Sequence, residues 1–262
     1  MKEHTARWRL LLVPPRSGAE NMARDAGLMD RARKTGEAVF SVYGWTRPTL
    51  SLGRNQTARG EYDLAEARQR EIEIVRRPTG GRALLHSREV TYSVTGPIEQ
   101  SESLADAYAR INRILLLGLR KLGVNASEAE RANETPRPGL LPCFAAPTEG
   151  ELVTQNGKLV GSAQYRENGA LLQHGSILIE DDQDTISALL LDRSSSDVVP
   201  GAATLRQALG RMPSASSVAD ALFDAVRELC DVDTRMLDEN ETRGFTALHI
   251  ETYRSELWTW RR

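Results

Sequence analysis

The stretch Pro142–Ser176, PCFAAPTEGELVTQNGKLVGSAQYRENGALLQHGS, governs how the rest of the chain is read. At its centre, Glu151 to Thr154 and Lys158 to Ser162 flank Gln155-Asn156-Gly157. Two short runs around Asn-Gly predict a β-hairpin, because Asn and Gly tolerate the positive φ that a tight turn needs. Leu171 to Ile179 predicts a further strand. The same stretch carries Cys143, one of two cysteines in the chain. A polar segment from Asn125 to Leu141, with Pro136 and Pro138, reads as the loop that delivers it.

Upstream, Trp8 to Val13 predicts a strand ended by Pro14-Pro15. Ala19 to Arg33 predicts a helix with Met22, Ala26 and Met29 on one face. Ala38–Tyr43 and Thr49–Leu52 predict strands, and Asp63–Arg70 a helix. Ile72–Val75 is a short apolar strand that runs directly into Arg76-Arg77-Pro78-Thr79-Gly80-Gly81-Arg82, and Val90–Val94 is a strand beyond that loop. Ser103 to Leu122 is the clearest helix. Ser103 and Asp106 have capping spacing, Tyr108, Ile111, Leu115, Leu119 and Leu122 share a face, and Gly123 fits the C-terminal end. After Glu180 the pattern turns helical, at Thr185–Leu191, at Ser217–Leu229 with Ser217 and Asp220 at capping spacing, and at Glu241–Trp260. Strands lie before residue 180 and helices on both sides of it. This predicts an α+β, mixed α/β plan without regular βα alternation.

The chain has 262 residues, enough to bury a substantial core. Lys plus Arg is 34 and Asp plus Glu is 36, so the net charge of −2 argues against general nucleic-acid binding. No apolar run approaches a membrane span, and Leu10 to Val13 is too short for a signal-peptide core. Two cysteines and no sign of secretion predict reduced thiols and a cytoplasmic setting.

Several residues have a chemical reading beside a plain one. A thiolate at Cys143 suits acyl transfer through a thioester, whereas a free cysteine is more often buried and inert. Cys230, at the end of an amphipathic helix, keeps the inert reading. Lys158 is either an exposed hairpin residue or a fixed cation that stabilises an acyl oxyanion. Gly161, Ser162 and Ala163 behind it let a ligand chain approach the backbone. The Arg76–Arg82 loop either points N–H groups and arginines at a ligand or is an ordinary tight turn. His86 and His174 are acid–base residues, ligand contacts or structural hydrogen-bonders. No metal-ligand cluster, Walker sequence or dinucleotide fingerprint is present.

Together these motifs resemble the lipoate–protein ligase and octanoyltransferase superfamily, which includes biotin–protein ligases. Arg76-Arg77-Pro78-Thr79-Gly80-Gly81-Arg82-Ala83-Leu84-Leu85-His86 is similar to its Arg-Arg-x-Ser/Thr-Gly-Gly loop, Lys158 in Gly-Lys-Leu-Val-Gly-Ser-Ala-Gln to its lysine motif, and Gln173-His174-Gly175-Ser176-Ile177-Leu178 to the strand that follows. The resemblance runs from about Trp8 to Tyr253–Trp258. It implies the biotinyl/lipoyl protein ligase catalytic-domain fold, a mixed sheet flanked by helices with a smaller sheet beside it. It also implies one catalytic domain over residues 1–262, strand-rich to about 180 and mainly helical beyond, with no accessory domain.

Cys143 ahead of the lysine motif, followed by Phe144, resembles the octanoyltransferases of Gram-positive type. The implied activity is transfer of octanoyl from acyl carrier protein, through a Cys143 thioester, to a lysine of a lipoyl domain such as the glycine cleavage H protein or a 2-oxoacid dehydrogenase E2. Cys143 and Lys158 are the implied catalytic residues. Arg76, Arg77, Thr79, Gly80, Gly81, Arg82, His86, Gly161, Ser162, Ala163, His174 and Gly175 are the implied substrate-binding residues. No metal or other cofactor is implied, since phosphopantetheine arrives on the donor. The alternatives are an ATP- and Mg-dependent lipoate ligase, in which Cys143 is incidental, an amidotransferase between lipoyl domains, and a silent homologue that only binds.

Overall fold

A computed structural model describes residues 6–98, 101–129, 144, 150–192 and 201–262. Cys143, Pro136, Pro138 and the remainder of the predicted loop before Cys143 lie outside the described residues.

The strands are β1 (Trp8–Leu12), β2 (Ala38–Tyr43), β3 (Thr49–Leu52), β4 (Glu73–Arg76), β5 (Leu84–His86), β6 (Glu89–Pro97), β7 (Ser127–Glu128), β8 (Leu152–Thr154), β9 (Gly157–Glu167), β10 (Ala170–Leu178) and β11 (Arg235–Met236). The helices are α1 (Gly18–Thr35), α2 (Leu64–Gln69), α3 (Leu104–Lys121), α4 (Thr185–Ala188), α5 (Leu205–Leu209), α6 (Ala215–Leu229), α7 (Asn240–Ala247), α8 (Ile250–Arg254) and α9 (Glu256–Thr259). Eight strands form a mixed sheet in the order β11-β1-β2-β6-β10-β9-β8-β7, and three form a smaller sheet, β4-β3-β5. β1 runs parallel to β2 and β11, and the pairs from β2 through β6, β10, β9 and β8 to β7 are antiparallel.

The amphipathic faces read from the sequence explain the layers. Ile111, Leu115 and Leu119 of α3 and Val218, Leu222 and Val226 of α6 pack with Leu10, Phe40, Tyr92 and Val94 of the large sheet in the main core. Met22 of α1 packs with Val75 and Tyr253, and Met29 with Ala170 and Leu172 of β10. Helix α1 therefore joins both sheets to the C-terminal helices. Leu50, Leu52 and Leu85 of the small sheet form a separate core with Ile186 and Leu189. Among the described residues, no helix is long and apolar enough to cross a membrane.

Several boundaries differ from the sequence reading, each for a physical reason. The hairpin loop is Gln155-Asn156, with Thr154 paired to Gly157, and Gly157 takes the positive φ of +116°. Helix α6 starts two residues early because Ser214 caps it, its side chain accepting from the Ser217 N–H. Ser103 caps α3 as expected. The predicted helix Glu241–Trp260 is three short helices. Ser255 is extended there, with φ −75° and ψ 125°. The turn lets Trp258 Nε1 donate to the Arg76 carbonyl at 2.8 Å, a tertiary contact that a straight helix could not reach. β5 is an unpredicted strand, held by the Gln183 amide, which pairs with Leu85 N and O at 3.1 and 2.8 Å as a strand partner would. β7 falls inside the segment read as loop, where Ser127 pairs with Val153.

Candidate active site

A cavity of about 210 Å³ opens between the large sheet, the 76–82 loop and α1. That is smaller than the roughly 300–1,000 Å³ of drug-sized sites, a scale that suits a slender ligand. Met22, Tyr43, Trp45 and Leu84 supply its apolar side.

One wall is β9 against β10. Lys158, opposite Val153 in the hairpin, is 3% exposed and its Nζ donates to Glu151 Oε1 at 2.7 Å. The Phe144 ring lies 5.1 Å from the same Nζ. A buried ammonium requires a paired carboxylate, because an isolated charge in a low-dielectric interior is very costly. Both Lys158 and Glu151 face the cavity. Glu151 was read from the sequence only as the start of a strand. Nothing local marks it, because the ion pair exists only once the hairpin and its irregularity at Leu152/Val153 are formed.

Further along β9, Gly161, Ser162 and Ala163 line the cavity beside His174 and Gly175 of β10, with Ser162 opposite Gly175. A Cβ on Gly175 would lie 2.4 Å from Gly161 O and 2.7 Å from Tyr92 Cε1, so only glycine permits this approach. Ser162 Oγ and Tyr92 OH are 2.6 Å apart. Burial pushes the Tyr92 phenol up to about 12, so it bonds as a neutral hydroxyl.

The opposite wall is the 76–82 loop, of which Arg77, Gly81 and Arg82 reach the cavity. Arg77 donates inward, to Ser51 O at 2.9 Å, Gly80 O at 2.8 Å and Arg82 O at 2.7 Å, so it shapes the loop it belongs to. Gly81 has φ +93°, and its carbonyl would lie 1.9 Å from a Cβ placed on Gly53. The glycines thus serve close approach of two loops. Thr79 is buried behind the wall, with Oγ1 2.7 Å from His174 Nε2. Arg76, expected to contact ligand, is a correction. It is fully buried, outside the cavity lining, and donates to the carbonyls of Gly53, Gln56 and Thr259 at 2.5, 2.8 and 2.8 Å. Those carbonyls have no strand partner, and the guanidinium's fork of donors bonds all three, Gly53 O also accepting from Gln56 N at 3.0 Å.

Both histidines line the cavity and are held by carboxylates. His174 Nδ1 is 2.8 Å from Asp25 Oδ2, which also accepts from Tyr43 OH at 2.8 Å. His86 Nδ1 is 3.4 Å from Glu89 Oε1, its Nε2 is 2.9 Å from Ser51 Oγ, and its ring stacks on Trp45 with centroids 4.0 Å apart. Burial holds the His86 pKa below its ordinary value, against the opposing pull of Glu89. Asp25, Glu89, Tyr43 and Trp45 were not identified from the sequence; Asp25, Tyr43 and Trp45 act through neighbours distant along the chain, and Glu89 through His86 three residues away and Ser176 on β10. Among the described residues, no three His, Cys, Asp or Glu side chains gather as a metal set. Burial pushes the Cys230 thiol up to about 11, in keeping with an inert cysteine.

Cys143 itself lies outside the described residues, and its neighbour Phe144 is 3% exposed against the Lys158 ammonium.

The chain and its fold are similar to known proteins. The family model of the lipoyl protein ligase A/B catalytic domain matches residues 17–227. The octanoyltransferase LipM of Carboxydothermus hydrogenoformans is 43% identical over 191 residues, covering 71% of this chain and 70% of that protein. The octanoyltransferase LipM of Kyrpidia tusciae is 41% identical over 240 residues, 84% of this chain and 86% of that one. Among solved structures, a bi-partite lipoate protein ligase and its E2 lipoyl domain from Thermoplasma acidophilum has a TM-score of 0.78 at 22% identity, covering 97% of this chain and 96% of the other, a likeness of fold. The match over residues 17–227 takes in the small sheet, six of the eight strands of the large one and both cavity walls, and on that ground the chain belongs to the lipoyl protein ligase A/B catalytic-domain family.

Proposed function

We propose that the protein is an octanoyltransferase of protein lipoylation. It takes octanoyl from the phosphopantetheine arm of acyl carrier protein and delivers it to a lysine of a lipoyl domain, of the glycine cleavage H protein or an E2 subunit. The observation that carries this reading is the buried Lys158–Glu151 pair at one end of an apolar cavity, in a chain 43% identical to an octanoyltransferase.

In the first step the Cys143 thiolate attacks the donor's thioester carbonyl. The new C–S bond forms, the bond to the pantetheine sulfur breaks, and the pantetheine leaves as a thiol after taking a proton. Lys158, held by Glu151, donates to the oxygen that becomes negative in the tetrahedral intermediate. The acyl chain lies against Met22, Tyr43, Trp45 and Leu84. In the second step a neutral lysine amine of the lipoyl domain attacks the Cys143 thioester. The amide forms, a proton leaves the nitrogen, and the Cys143 thiol is regenerated. The thioester already carries the activation, so the reaction as written draws on neither ATP nor a metal ion.

The test is the intact mass of the protein after incubation with octanoyl-acyl carrier protein in the absence of ATP. The expected result is a gain of one octanoyl group, removed by hydroxylamine, absent in Cys143→Ala, and discharged by an apo lipoyl domain. Acceptor modification only when ATP and free octanoate are supplied would overturn the transferase reading in favour of a ligase.

A further inference from the structure

Beside the cavity two arginines are assembled on an aromatic shelf, without charged partners among the described residues. The Arg261 guanidinium lies 4.2 Å from the Trp258 ring centroid, and that of Arg54 lies 5.7 Å from the same ring and 4.6 Å from Tyr165. Among the described residues, their polar partners are uncharged oxygens. These are Pro78 O for Arg54, and Arg54 O and Asn55 Oδ1 for Arg261. Glu167, which accepts from the Tyr165 hydroxyl, is engaged by Arg33. Arg54 and Arg261 are both half-buried. Two like charges held this close, with partial loss of water, are a standing electrostatic cost that a bound anion removes. In keeping with this, desolvation first, and then Arg54 and Arg262, lower the Arg261 pKa from its ordinary value.

The shelf adjoins both walls of the cavity without lining it. Arg54 N donates to the Thr79 carbonyl at 2.7 Å, in the loop that forms one wall. Tyr165 lies on β9, the strand that forms the other. From Lys158 to Tyr165 is seven residues of extended strand, roughly 23 Å between backbones, of which the lysine side chain at one end and the arginine side chain at the other each span several ångströms. About thirteen bonds separate phosphorus from sulfur in a phosphopantetheine arm, which spans roughly 15 Å when extended, taking 3.3–3.6 Å per three chain bonds.

We propose that Arg54 and Arg261, stacked on Trp258, form a phosphate site that grips the phosphodiester of the donor's pantetheine arm while its acyl end occupies the cavity. This rests on the transferase reading above. The planar guanidiniums match phosphate oxygens in pairs of parallel N–H···O bonds. The contact fixes the arm's depth, so that the thioester carbonyl stops at Lys158 whatever the protein that carries the arm.

The test is a calorimetric titration of phosphopantetheine and of pantetheine into the full chain and into Arg54→Gln/Arg261→Gln. The expected result is at least tenfold tighter binding of the phosphorylated compound by the wild type. That preference should weaken with added salt and fall to near one in the double variant. Melting curves establish that the variant is folded, and Arg54→Gln alone gives the same comparison if the double change does not fold. Equal affinity for the two compounds in the wild type, or a preference that survives in a folded variant, overturns the site. Weaker binding of acyl carrier protein by the variant, with no phosphate preference in the wild type, also overturns it and assigns the arginines to carboxylates on the carrier. A phosphate preference in a protein that forms no octanoyl thioester would sink the transferase reading and leave the phosphate site standing.

Discussion

The loop from Arg76 to Arg82 and the strand from Lys158 to Ala163 face each other across one cavity, and they hold their cations in opposite ways. Arg76 and Arg77 turn their guanidiniums into the protein, onto carbonyls of Gly53, Gln56, Thr259, Ser51 and Gly80. Lys158 has a carboxylate partner and still faces the cavity. An arginine with five fixed donors is a staple for loop backbone, whereas a lysine has a single compact charge that a neighbouring carboxylate can aim. Charge density in a motif is therefore a poor guide to which residues meet the ligand.

The largest expected effect tests the arginine half of that contrast. Arg76→Met removes charge-assisted bonds to three carbonyls, two of them buried and one half-buried, and should cost on the order of 4–5 kcal/mol of stability in urea unfolding. At a temperature where the variant is folded, its kcat/KM should stay within a few-fold of wild type. A tenfold loss of activity with stability intact would place Arg76 on the ligand and break the comparison.

Next in size is the lysine. Lys158→Met should lower kcat by about 10²–10³-fold, the usual cost of losing one oxyanion donor. It should also destabilise the fold, because the buried Glu151 carboxylate loses the ammonium 2.7 Å away. Adding Glu151→Leu should restore the melting temperature and leave the activity low. Recovery of activity in that double variant would mean the ion pair only supports the fold.

A smaller effect is expected at the strand contact. Gly175→Ala must move β9 or Tyr92, at about 1–3 kcal/mol. Because the shift is at the cavity wall, KM for the octanoyl donor should rise along with the loss of stability. A change in stability alone would show that the wall relaxes without disturbing the ligand.

The smallest effect is in the pH dependence. The buried His86 has a pKa below that of an unfolded histidine, so the unfolded chain binds more protons as pH falls through about 6.5. Stability contributed by neutral His86 is present above that pH and declines below it. His86→Gln should unfold with a shallower pH dependence between about 6.5 and 5. An unchanged slope would mean that His86 makes no contribution to it.

Much of the fold was legible because its signals are local. The periodicity of α3, its Ser103 cap, the strand Ala38–Tyr43 and the hairpin around Asn156 all follow from residues within one turn of each other. The C-terminal segment was misread as one helix because its breaks serve Trp258 and Thr259, which meet Arg76 more than 180 positions away in the chain. At the site, Lys158, Gly161 to Ala163, His174 and Gly175 were recognisable as a motif on two neighbouring strands. Glu151, Asp25 and Glu89 were not, because a carboxylate near a strand or within a helix has the same sequence signature whether it faces water or a buried base.

The sequence by itself determined the longer elements before residue 180, the family and the small residues that let β9 and β10 approach. Those depend on period, turn chemistry and side-chain size, which each residue carries with it. Only the tertiary structure decided which charged groups face the cavity and which are spent on backbone carbonyls. That outcome depends on which unpaired oxygens and carboxylates the packed sheets bring within about 3 Å, and hydrogen-bond geometry at that range has no representation in the order of residues along the chain.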